Sequence, residues 1–140
     1  MAEIENKYKK IYTSGKRKAS IARALIKEGK GIVTVNKKNY ELLHIFDRLK
    51  IAEPLKIAEH ILGKISFDVQ ITTKGGGNKG QLDAARIALA KAIIEYTGSE
   101  ELMETFLKYD RNLLIADVRR KEVYKPGDSK ARSMRQSSKR

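Results

Sequence analysis

The 140-residue sequence contains no cysteine and no tryptophan, and only two histidines and two prolines. The missing cysteine removes disulfide scaffolds, thiol nucleophiles and thiolate metal sites together. His44 and His60 stand apart in the chain, without carboxylates at metal-ligand spacing beside them, so neither reads as a ligand or a base. No Gly-x-Ser-x-Gly elbow occurs. No apolar run approaches the ~18 to 20 residues that a membrane span requires. Residues 1–12 alternate charge with isolated apolar side chains, so no secretory leader is expected. The expectation is a soluble intracellular protein that is not an enzyme and uses no metal or other cofactor.

What the chain has in abundance is positive charge. Lys and Arg number 30 against 17 acidic residues, a formal net charge of +13. The excess is not spread evenly. Residues 1–30 hold 9 basic and 3 acidic groups, residues 31–118 hold 12 of each, and residues 119–140 hold 9 basic and 2 acidic. A neutral middle with basic ends describes a small globular body carrying extensions that attract polyanions. The body is expected over 1–124 and a tail over 125–140. From Lys130 onward only Ala131 and Met134 are apolar, too little to offset the entropy of ordering, so the tail is expected to be disordered when free.

The body reads as α+β. Residues 19–26, Ala-Ser-Ile-Ala-Arg-Ala-Leu-Ile, suit a strand, and β-branched Ile32-Val33-Thr34-Val35 suits another. Gly29-Lys30-Gly31 between them predicts a hairpin. Over 39–62, Leu42, Leu43, Ile45, Phe46 and Leu49 suit a short helix, and Pro54 starts a second one ending near Gly63. The clearest strand is 65–73, with Ile65, Phe67, Val69 and Ile71 on one face. A helix follows from about Gln81 to Tyr96, with Leu82, Ala85, Leu89, Ala92, Ile93 and Tyr96 as its apolar stripe. Ser99-Glu100-Glu101 opens another, whose buried side is expected to be Leu102, Met103, Phe106 and Leu107. An extended piece is expected over 113–118.

Two features carry chemistry. The loop Lys74-Gly75-Gly76-Gly77-Asn78-Lys79-Gly80 precedes a helix, where backbone N–H groups meet phosphates. It is no nucleotide P-loop, since Gln81-Leu82 stands where Lys-Ser/Thr is needed, and it lacks the dinucleotide fingerprint. It reads either as a flexible connection or as a contact for polynucleotide phosphate. The tail is the other feature. Its positive groups suit a nucleic-acid backbone, and the absence of aromatics after Tyr124 favours phosphate contact over base stacking there. An arm that enters crevices of a structured RNA fits this composition better than a groove-reading helix.

Four segments together resemble one family: Ser14-Gly15-Lys16-Arg17-Lys18-Ala19-Ser20-Ile21-Ala22-Arg23-Ala24; Gly29-Lys30-Gly31-Ile32-Val33-Thr34-Val35-Asn36; Lys74-Gly75-Gly76-Gly77 with Gln81 and Ala85-Arg86; and Asp110-Arg111-Asn112-Leu113-Leu114 leading to Ser138-Lys139-Arg140. The chain resembles the family of the ninth protein of the small ribosomal subunit from about Tyr8 onward. Tyr109-Asp110-Arg111, Ala116-Asp117 and Lys130-Ala131-Arg132 look closer to its archaeal and eukaryotic branch. The resemblance implies a small mixed four-stranded sheet with helices on one face, like ribosomal S5 domain 2, with a left-handed βαβ crossover against the usual hand.

It also implies a structural, rRNA-binding role in the head of the subunit. The rRNA contacts would be Lys16, Arg17, Lys18, Arg23, Lys74, Gly75, Gly76, Gly77, Lys79, Arg119, Arg120, Lys121, Lys130, Arg132 and Arg135. Ser138, Lys139 and Arg140 would approach the anticodon stem-loop of peptidyl-site tRNA, and neighbouring head proteins would be further partners. The alternative that shares the charge argument is an RNA-processing accessory protein presenting a basic surface to a catalytic RNA or nuclease.

Overall fold

The computed structural model describes residues 10–135 and 137–138. The strands are β1 (Ile11–Arg17), β2 (Ser20–Glu28), β3 (Val33–Val35), β4 (Lys38–Asn39) and β5 (Phe67–Lys74), and the helices are α1 (Ile45–Leu62), α2 (Asn78–Thr97) and α3 (Glu100–Tyr109). Short 3₁₀ turns lie at Tyr40–Leu42 and Arg111–Leu113. All five strands form one mixed sheet in the order β1-β2-β5-β3-β4. This is the α+β architecture the sequence implied, with five strands rather than four because the two-residue β4 adds an edge.

The expected β2–β3 hairpin is absent. β2 pairs antiparallel with β1 on one side and β5 on the other, so β5 separates β2 from β3. The hairpin is instead β1–β2, closed by Lys18-Ala19 with Lys18 at φ +52°. The glycine segment serves as a crossover, and Asp68 directs it. One carboxylate oxygen, Oδ1, accepts the backbone N–H groups of Lys30, Gly31 and Ile32 at 2.9, 3.1 and 2.9 Å. A Cβ at Gly29 would strike that same carboxylate. The chain is thereby stepped across β5, and β3 runs parallel to it with Val33 opposite Val69. Return from β3 to β5 passes through β4 and α1, forming the βαβ unit.

α1 is continuous from Ile45 to Leu62, with Pro54 inside it rather than at a break. Proline removes one helical hydrogen bond and crowds the preceding turn. Here its ring is fully buried, and apolar burial offsets that cost. α3 is capped as its sequence suggests, the Ser99 hydroxyl accepting the Leu102 N–H at 3.3 Å. Leu102 and Phe106 are buried, but Met103 and Leu107 turn outward. No strand forms over 113–118: Leu113 is a buried plug in a 3₁₀ turn, and the chain beyond it is irregular.

The helices cover one face of the sheet. α2 contacts β1, β2 and β5 on that face, and α1 and α3 pack around it. It is therefore buried nearly all round: Ala84, Ile87, Ala88 and Ala90 join the expected stripe in the core. Its approach to β1 is close enough that a Cβ on Gly15 would clash with the backbone of Ala84 and Ala88. The Thr13 hydroxyl donates to the Ala88 carbonyl at 2.8 Å in the same contact. The opposite face of the sheet is open, presenting Tyr12, Ser14, Lys16, Ile21, Arg23, Gln70, Thr72 and Lys74.

Gly15→Ala should therefore destabilise the protein by about 1–3 kcal/mol through overpacking against helix backbone. Ser14→Ala, on the open face, should change stability by less than about 0.5 kcal/mol. Thermal unfolding followed by circular dichroism compares the two. Equal midpoints would refute the close approach of α2 to β1.

Candidate nucleic-acid interface

Three stretches that are distant in sequence meet at the end of the sheet where β1 turns into β2. They are the Lys18-Ala19 turn, the glycine loop after β5, and the chain beyond Leu113. The glycine loop lies against the turn because it has no side chains. Gly75 and Gly76 take φ of +79° and +62°, and a Cβ on Gly75 would lie 2.7 Å from the Ala19 carbonyl oxygen. A Cβ on Gly76 would strike the Ser20 side chain.

A relay of polar contacts fixes the loop from behind. Asn36, at φ +49° in the β3–β4 turn, donates from Nδ2 to Thr73 Oγ1 at 2.8 Å and accepts the Thr73 N–H at 2.9 Å. The Thr73 hydroxyl donates to Gln81 Oε1 at 3.1 Å, and Gln81 Nε2 donates to the Gly75 carbonyl at 3.0 Å. The loop thus hangs on two strands and the first turn of α2. That turn begins at the Gly77 cap with no side-chain cap, and the first helical bond runs from the Gln81 N–H to the Gly77 carbonyl. The N–H groups of the residues between have no intrahelical acceptors.

Two adjoining hollows result. One, of about 690 Å³, is lined by Arg17, Lys18, Lys50, Gly76, Gly77, Lys79 and Asp83 among others. The second, of about 440 Å³, is lined by Arg17, Lys18, Arg119, Arg120 and Lys121. Arg17 and Lys18 belong to both, so the basic surface is continuous. Asp83 does not reverse its sign, because Lys50 Nζ pairs with it at 2.7 Å.

Asp117 attaches the second wall to the body. Its carboxylate takes Arg119 as a bidentate partner at 2.7–3.1 Å, accepts the Arg119 backbone N–H at 2.9 Å, and meets Arg17 Nη2 at 3.2 Å. The Arg119 side-chain bonds first, then its backbone N–H, hold the Asp117 carboxyl well below the usual carboxylate range, and the Arg119 guanidinium is raised in return. Arg120 reaches across to donate to the Lys18 carbonyl at 3.3 Å. Arg17 Nη1 is buried with no hydrogen-bond acceptor among the described residues.

Of the residues expected to bind rRNA, the structure gathers Arg17, Lys18, Gly76, Gly77, Lys79, Arg119, Arg120 and Lys121 around these hollows. Gly75 lies in the same loop. Lys16 and Lys74 flank Ile21 on the nearest row of the open sheet face, and Arg23 follows on the next row between Ser14 and Thr72. Lys130, Arg132 and Arg135 line neither hollow. Arg132 pairs back to Glu122, just before the tail, at 2.7 Å, and Arg135 donates to the Gly127 carbonyl within it at 2.9 Å. Ser138 is exposed, and Lys139 and Arg140 lie outside the described residues.

The sequence reading missed Lys50, which reaches the hollow from the middle of α1, and it missed Asp117 as an anchor. It also left Arg86 without a role. Arg86 pairs with Glu53 at 2.6 Å and Asp110 at 3.0 Å, tying α2 to α1 and to the end of α3. No His, Cys, Asp and Glu cluster that could hold a metal occurs among the described residues. No helix among them is long and apolar enough to cross a membrane.

Comparison with known proteins gives the chain's family. Residues 15–140 match the family model described as ribosomal protein S9/S16. A protein named small ribosomal subunit protein uS9 from Methanococcus vannielii is 50% identical over 133 residues, 93% of this chain and 98% of its relative. Its namesake from Methanococcus maripaludis strain C7 is 48% identical over the same length and shares.

A lowered carboxylate contributes stability that is present above its ordinary value and lost only as pH falls through the lowered one. Protection of the Arg119 amide against hydrogen exchange should therefore stay constant from neutral pH down to about pH 4, the ordinary Asp range. Asp117→Asn should lower that protection several-fold at every pH. Protection that fades already between pH 6 and about 4 would show that another group holds the segment.

Proposed function

Because this chain belongs to the ribosomal protein S9/S16 family, and so is a structural rather than a catalytic constituent of the small ribosomal subunit, we propose that the double hollow is its seat on ribosomal RNA. The observation that carries the proposal is the junction at Arg17 and Lys18. One tight turn there contributes cations to both hollows. The glycine loop lets an RNA backbone approach main-chain N–H groups at the start of α2, while Lys79 adds charge beside them. Arg119, Arg120 and Lys121 extend the track toward the tail.

The arrangement suits phosphate rather than base recognition within the hollows, because Lys, Arg and glycine dominate their walls and no aromatic side chain lines them. Lys16, Arg23 and Lys74 continue the positive surface onto the open sheet face. The tail extends contact inward, with Lys130, Arg132 and Arg135 exchanging their own weak, exposed partners for phosphate. Ser138, Lys139 and Arg140 then approach the anticodon stem-loop of peptidyl-site tRNA. The RNA-processing alternative rested on the charge argument alone, and family membership favours the ribosomal reading over it.

Sedimentation of native extract before and after a high-salt wash is the first test. The protein should stay with the small subunit, because body docking exceeds what a screened charge cloud supplies. Removal by the wash, or migration with a smaller ribonucleoprotein, would refute the assignment. The triple variant Lys18→Ala, Arg120→Ala, Lys121→Ala should weaken binding to small-subunit RNA and reduce the slope of log K against log salt by roughly 2–3.

Removing residues 138–140 should leave assembly intact and weaken peptidyl-site tRNA binding. Unchanged tRNA affinity in reconstituted truncated subunits would sink the tail assignment.

A further inference from the structure

The open face of the sheet has a composition that phosphate contact in the hollows does not explain. The parallel β3–β5 pair is of a kind usually buried on both faces, yet Gln70 on its open side is exposed. On the same face Tyr12 is 72% exposed and Ile21 44%. Register puts Tyr12, Leu25 and Gln70 in one cross-strand row, Ser14, Arg23 and Thr72 in the next, and Lys16, Ile21 and Lys74 in the third. Two apolar seats therefore lie about 13 Å apart along the strand direction, at ~3.3 Å per residue, with a guanidinium between them.

Elsewhere the cations are claimed by carboxylates, Lys50 by Asp83 and Arg119 by Asp117. Here Lys16, Arg23 and Lys74 have no acidic partner among the described residues, and the side chains of Gln70 and Thr72 make no hydrogen bond among them. The one carboxylate that β1, β2 and β5 set on this face, Asp68, is turned to the crossover N–H groups.

We propose that this face seats unpaired nucleotides, one base against the Tyr12 ring beside Leu25 and another against Ile21, with the phosphate between them at Arg23. The inference rests on the RNA-binding reading above and adds base recognition to it. Three unpaired cations select a polyanion. The exposed ring and aliphatic side chain then select a single strand over a duplex. A duplex stacks its bases on one another and offers a flat surface only phosphates, sugars and groove edges, so Tyr12 and Ile21 would gain nothing from it. Splayed bases supply the flat apolar partner that both side chains lack, and stacking tolerates any base. Gln70 and Thr72, in the Tyr12 and Arg23 rows, hold donors and acceptors for base edges. The face also runs into the double hollow. Lys16 precedes Arg17, and Lys74 opens the glycine loop, so one strand can leave bases on the sheet and phosphates in the hollow.

The test reconstitutes small subunits with the full chain and probes their RNA in two ways. Acylation of 2′-hydroxyls reads nucleotide flexibility, and hydroxyl-radical cleavage reads backbone protection. The wild-type chain should quiet nucleotides that are unpaired and reactive in subunits lacking it. Tyr12→Thr keeps a strand-forming side chain but removes the ring. It should retain the wild-type unfolding midpoint and the backbone protection, while reactivity of a quieted nucleotide rises at least about fivefold, the low end of what one stacked base confers. Tyr12→Phe, which keeps the ring, should leave that nucleotide quiet, and Ile21→Thr gives an independent reading at the second seat. Unchanged reactivity in both threonine variants overturns the inference, and so does an effect confined to paired nucleotides. Release by Tyr12→Phe as well as Tyr12→Thr overturns stacking as its basis. Intact backbone protection without any nucleotide effect overturns this inference alone, whereas a chain that never enters the subunit overturns the ribosomal reading with it.

Discussion

Everything else in the molecule depends on how closely α2 lies against the sheet at β1. Gly15 has no side chain to hold the helix off, and small Ala22 and Ala24 on β2 share the core with Ala84, Ala85 and Ala88 of the helix. The helix therefore sits deep, and its N-terminal turn arrives beside the β1–β2 turn. Had the sheet carried larger residues there, α2 would stand further off. Its glycine loop would then no longer reach Ala19 and Ser20. The close packing that stabilises the body thus also brings Arg17, Lys18 and Lys79 together.

Acidic residues do as much to shape the basic surface as basic ones do. Asp68 gathers three backbone N–H groups and turns a glycine segment into a crossover. Asp83 holds Lys50 at the mouth of a hollow, and Asp117 holds Arg119 against Arg17. Glu53 and Asp110 both seat on Arg86, joining α1, α2 and the end of α3. A balanced middle segment in a basic chain is therefore not featureless. Its carboxylates position cations that would otherwise repel one another.

The surface divides by chemistry into regions that do not compete. One end of the sheet is basic and built of backbone and long cationic side chains, suited to phosphate. The first turns of α1 leave Ile45, Phe46 and Leu49 exposed to solvent. The tail carries charge without apolar anchors, and the ion pairs of Arg132 with Glu122 and of Arg135 with Asp128 are exposed and easily exchanged. A structural component of a large ribonucleoprotein needs this separation, because each contact must form without disturbing the others.

By itself, the sequence determined the class of the protein. Charge confined to two ends, the lone clear strand at 65–73, the glycine loop opening a helix and the four family segments together named an α+β RNA-binding body with a basic tail. These are local signals, set by residue type and short-range periodicity. What only the tertiary structure decided was every pairing between them. Gly29-Lys30-Gly31 reads locally as a hairpin turn, and nothing nearby shows that Asp68, 38 residues from Lys30, will claim its N–H groups. Pro54 reads as a helix break until burial of its ring outweighs the lost hydrogen bond. Lys50 and Asp117 look like ordinary surface charges until packing sets them beside Asp83 and Arg17. Strand order and ion-pair partners depend on contacts between segments far apart in the chain, and those contacts exist only once the core has closed.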